Sequence, residues 1–100
     1  MNLLKVFEEG NYSQVIHQWN SDDIPASSDP NAAYIAAAAY FRLGDLEKAC
    51  QLCESIEGPF DNNAEFLSMY AAILRRLNLY NRAEVTFQHA LKLNPNSKEV

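Results

Sequence analysis

The sequence predicts an all-α protein made of three helix-turn-helix repeats. Three observations carry the prediction. Small and apolar residues recur at helical spacing through most of the chain. The pattern returns at a fixed offset of 34 residues. Gly44 permits a left-handed turn that ends one helix and folds the next back on it, and Gly10 falls on it at the same offset.

Taken in order, Asn2 to Glu9 reads as a short helix with Leu3, Val6 and Phe7 on its apolar face. Gly10-Asn11 turns the chain, and Tyr12 to Trp19 or Asn20 forms the partner helix. Ser21 to Asp29 is a polar loop, the longest connection. The next helix spans about 30–43. Asp29 is its N-cap, Pro30 suits its first position, and Ala33, Ala36, Ala37 and Tyr40 make an inward stripe. Alanines on that stripe let a second helix approach closely. Gly44 ends this helix, and another follows at 45–57 with Leu46, Ala49, Cys53 and Ile56 facing inward. Gly58-Pro59 stops it. Two more helices are expected at 63–77 and 81–93, and Ser97 has the character of a cap for a further helix starting at 98–100.

The offset is visible residue by residue. Shifting by 34 pairs Ala37 with Ala71, Ala38 with Ala72, Arg42 with Arg76, Leu43 with Leu77 and Ala49 with Ala83. Shifting the other way sets Gly10 on Gly44, Phe7 on Phe41 and Pro25 on Pro59. A hairpin this small cannot bury its own apolar face, so neighbouring units must stack on it.

At these residues the chain resembles the tetratricopeptide repeat family. The family's small residue in the first helix falls at Ala37 and Ala71, with Leu3 in the corresponding place of the first unit. Its turn appears as Gly10/Tyr12, Gly44/Leu46 and Asn78/Tyr80. Its second helix, small then bulky, appears as Val15/Trp19, Ala49/Cys53 and Ala83/Phe87. Asn94-Pro95-Asn96 matches the usual ending. Departures are the short first helix, Ile24-Pro25 and Gly58-Pro59 in place of that ending, and the small Cys53. The resemblance implies a single domain over 1–100, with repeats at about 1–29, 30–63 and 64–97 stacked as a right-handed solenoid.

Charge narrows the function. The net charge is −5 and the pI about 4.8, which argues against nucleic acid as the main partner. The distribution is uneven. Residues 1–29 set Lys5 against Glu8, Glu9, Asp22, Asp23 and Asp29, a net of −4. Residues 64–97 set Arg75, Arg76, Arg82 and Lys92 against Glu65 and Glu84, a net of +2. The acidic and basic parts could attract each other between molecules. No apolar run approaches the roughly 18 residues of a membrane span, and the N-terminus lacks the form of a signal peptide. Two cysteines in such a chain imply reduced thiols and a cytoplasmic setting.

No catalytic constellation emerges. Cys50 and Cys53 have C-x-x-C spacing but fall mid-helix, away from the helix N-terminus that activates redox thiols. They read as packing residues, and His17 and His89 do not complete a zinc site. Neither histidine has triad partners, the adjacent carboxylates read as solvated charge, and no metal or cofactor is expected.

The resemblance therefore implies protein–protein interaction, as a scaffold or adaptor and not an enzyme. Two alternatives stand beside it. One is the N-terminal non-catalytic region of a longer enzyme, such as a glycosyltransferase or sulfotransferase. The other is self-assembly into a homo-oligomer through the C-terminal end. In the family, the first helices of successive units line a concave groove for a peptide. Helical spacing then places Leu4, Phe7 and Glu8, then Tyr34, Ala38, Phe41 and Arg42, then Ser68, Ala72, Arg75 and Arg76 on that face. Leu4, Ala38 and Ala72 stand where the family's chaperone-tail receptors carry asparagine, so that carboxylate clamp is absent. An aromatic floor with arginines towards one end suits an acidic or aromatic ligand.

Overall fold

Each hairpin turns on one left-handed residue, and the three sit 34 positions apart: Gly10 at φ 83°, Gly44 at φ 87° and Asn78 at φ 66°. Glycine adopts this conformation without a Cβ penalty, and asparagine is among the few other residues that tolerate it. The hydrogen bonding is the same in all three. Gly10 N–H donates to Phe7 C=O and Asn11 N–H to Val6 C=O. Gly44 N–H donates to Phe41 C=O and Asp45 N–H to Tyr40 C=O. Asn78 N–H donates to Arg75 C=O and Leu79 N–H to Leu74 C=O. These paired bonds close the helix end by satisfying carbonyls that would otherwise lack partners.

A computed structural model describes residues 3–22 and 28–93, in six helices: α1 (Leu3–Glu8), α2 (Tyr12–Asp22), α3 (Pro30–Leu43), α4 (Leu46–Ile56), α5 (Ala64–Arg76) and α6 (Tyr80–Leu93). There is no strand among the described residues. The fold is the all-α helical repeat expected. Helix α2 continues to Asp22, past the predicted end at Trp19 or Asn20, because no helix breaker intervenes before Pro25. The rest of the predicted Ser21–Asp29 loop lies partly outside the described residues. So do the Asn94-Pro95-Asn96 turn and the further helix expected at 98–100.

Caps define the helix starts. The Asp29 carboxylate accepts from Ala32 N–H at 3.1 Å with Pro30 at the first helical position. Asn63, the same place one repeat later, caps α5 by accepting from Phe66 N–H at 3.0 Å. The Asp45 carboxylate accepts from Lys48 N–H at the start of α4.

The chain divides into two compact units, Met1–Ile56 and Glu57–Val100. In the first, α1, α2 and α3 pack around Val6, Val15 and Ala39, with Leu3, Phe7, Tyr12, Ile16 and Ile35 at the edges. The stripe Ala33, Ala36, Ala37 and Tyr40 is buried, as are Ala49, Cys53 and Ile56; Leu46, expected with them, is only half-buried. Methyl side chains along α3 permit the close packing of α3 on α4, and overfilling such a site costs about 1–3 kcal/mol. In the second unit, α5 supplies most of the core: Phe66, Leu67, Tyr70, Ala71, Ile73 and Leu74. Helix α6 adds only Ala83 and Ala90 as fully covered residues. Phe60, in the loop before α5, stacks on Phe66, which in turn leans against Tyr70.

Candidate functional site

The candidate surface lies in the second unit, in a cavity of about 670 Å³. Its floor is apolar: Ala71 and Ala72 from α5, Ala83 and Phe87 from α6. Small residues face one another where the two helices cross, and this leaves the depression. Arg75 and Arg76, in the last turn of α5, stand at its rim with exposed side chains. Cations are favoured at that end of a helix because the macrodipole is negative there. Tyr80 and Glu84 complete the lining from the first turns of α6. Tyr80 is 61% exposed, and its hydroxyl donates to the Asn78 side-chain oxygen at 2.8 Å, which holds the phenol beside the turn.

Three of the residues expected on the groove, Ala72, Arg75 and Arg76, are thus brought together in one cavity. Ser68 lies one turn before Ala72 on α5, and its hydroxyl is buried with no hydrogen-bond partner. The expected residues of the first unit form separate stripes. On α3, Tyr34, Ala38 and Phe41 are half-buried and Arg42 is exposed. On α1, Leu4 and Glu8 are exposed, whereas Phe7 packs its ring on Tyr12 at 5.1 Å beside the Val6–Val15 core.

Sequence reasoning did not assign Tyr80, Ala83, Glu84 and Phe87 to the ligand surface. The period did hold a signal. Ala83 and Phe87 stand 34 after Ala49 and Cys53, which are completely buried, yet Phe87 remains half-exposed. No further hairpin follows α6 among the described residues.

Other chemistry is sparse. Cys50 and Cys53 are buried thiols outside any disulfide, and the Cys50 thiol donates to a Glu54 carboxylate oxygen at 3.2 Å. Among the described residues no cluster of three or more His, Cys, Asp and Glu side chains could hold a metal ion. His89 Nδ1 lies 3.9 Å from the Asp61 carboxylate at the surface. No described helix is long and apolar enough to cross a membrane.

These features, a helical hairpin closed by a left-handed turn with an apolar depression between its helices, make α5 and α6 one unit of a helical repeat. The family model of the tetratricopeptide repeat matches residues 64–97, the segment that holds α5, α6 and the cavity. The match supports the chain's resemblance to that family. No curated protein matches the chain.

Proposed function

We propose that the chain is a protein-interaction module, a scaffold or adaptor without catalytic activity of its own. In this reading the cavity between α5 and α6 takes a partner segment that combines an acidic residue with an aromatic or aliphatic one. The observation that carries it is the pairing of Arg75 and Arg76 with the apolar floor of Ala71, Ala72, Ala83 and Phe87. Arg favours carboxylate through planar, two-pronged hydrogen bonds, so this rim suits an acidic side chain. The floor supplies the desolvated contact from which most binding energy comes, and the half-exposed Phe87 ring offers a face to an incoming side chain. Buried thiols outside any disulfide are consistent with a cytoplasmic setting.

The experiment is a binding titration of fluorescently labelled acidic-aromatic peptides against the chain at two salt concentrations. Affinity should fall as salt screens the arginines. Arg76→Ala should weaken binding about tenfold, the scale of one lost charge-assisted contact of about 1.4 kcal/mol. Binding indifferent to both salt and Arg76→Ala would mean that the ligand reads another face.

A further inference from the structure

We infer that the α5–α6 cavity also receives α1 of a second copy of the chain, in a head-to-tail contact. The inference rests on the cavity's being a protein-binding surface, and it names one occupant from the charges and shapes of the chain itself.

Helix α1 presents Leu4, 51% exposed, and Glu8, also exposed, one turn apart on the same flank. The exposed Lys5 lies beside Leu4. The cavity presents the matching set: an apolar floor, the Arg75–Arg76 pair at one rim, and the exposed Glu84 on α6. Leu4 would enter the floor between Ala72 and Ala83, Glu8 would meet the guanidinium groups, and Lys5 would face Glu84. Net charge favours the same pairing, since residues 1–29 carry −4 and residues 64–97 carry +2. Opposite charge on the two surfaces raises the rate of correct encounter and disfavours the contact of like with like.

The contact joins two different surfaces, so it leaves a free head and a free tail on every pair. It therefore adds copies in line instead of stopping at a dimer, unless the rotation happens to close a ring. A six-residue helix buries little area, well under the ~1,200 Å² of total surface at which stable interfaces begin, so the association is weak and dynamic.

Sedimentation velocity on the full chain, from micromolar to near-millimolar concentration, tests this. The expected result is a weight-average mass that rises with concentration and falls when salt is raised. Glu8→Arg and Arg76→Glu should each weaken association about tenfold or more. The double variant Glu8→Arg/Arg76→Glu should restore it, because the exchanged charges again face each other. Circular dichroism melting of each variant checks that these exposed substitutions leave the fold intact. A chain that stays monomeric throughout, or association that Glu8→Arg leaves unchanged, or a double variant no better than the singles, overturns the inference. Peptide binding without self-association would sink this proposal alone. Self-association without binding of any acidic peptide would sink the peptide reading and leave the cavity as a homotypic surface.

Discussion

The Arg82 guanidinium donates a hydrogen bond to the Tyr70 hydroxyl at 2.8 Å, tying α6 to α5 across the hairpin. Tyr70 is only 1% exposed, and this bond gives its hydroxyl a partner on the facing helix. Arg82 itself is exposed and can be solvated without Tyr70. The asymmetry gives a direct expectation. Arg82→Ala removes this hydrogen bond and should destabilise the chain by about 1 kcal/mol in a denaturant melt. Tyr70→Phe removes both ends of the demand and should cost less. If Tyr70→Phe proves the more damaging, the bond is incidental to stability.

The three turns provide a second test. Gly44→Ala places a Cβ on a residue at φ 87° and should cost about 1–2 kcal/mol, although no neighbouring atom lies within 4 Å of the new methyl. The penalty is one of backbone conformation, not of space. Gly44→Asn should be milder, because Asn78 already occupies the equivalent position at φ 66°. Equal losses for Ala and Asn, measured by thermal unfolding, would show that the turn does not demand a left-handed residue.

Cys50 and Cys53 should react slowly with an aqueous thiol reagent in the native chain, at a rate set by opening of the structure. Both are buried, Cys53 completely. Unfolding in denaturant should release two fast-reacting thiols. Rapid native reaction, or stoichiometric zinc uptake, would displace the packing account.

Helix α6 should exchange its amide hydrogens faster than α4. Fourteen residues of α6 contain two buried side chains, whereas eleven residues of α4 contain four. Val85, 70% exposed, and Tyr80 add apolar surface that contributes little to holding the helix in place. A dilute sample analysed by mass spectrometry decides the matter. Equal protection of the two helices would mean that α6 is held by contacts its burial does not reveal.

Most of the secondary structure was determined by sequence alone, because its causes are local. Asp29 with Pro30 starts a helix wherever they sit, Gly10 and Gly44 end one, and a stripe of Ala33, Ala36, Ala37 and Tyr40 declares which side faces inward. The 34-residue offset even carried the turn onto Asn78, where no glycine marks it. Tertiary structure alone decided what the surfaces became. Helical spacing gives a buried stripe and a ligand-binding stripe the same period, so Phe7 and Phe41 looked equivalent in the sequence. Packing set Phe7 against Tyr12 beside the core. In the same way Ala83 and Phe87 carry the residue types of a covered core. Ala83 is covered as expected, but Phe87 is left half-exposed, and both line a cavity with two arginines at its rim. Exposure depends on which atoms from elsewhere in the chain arrive at a residue, and a local pattern does not contain that information.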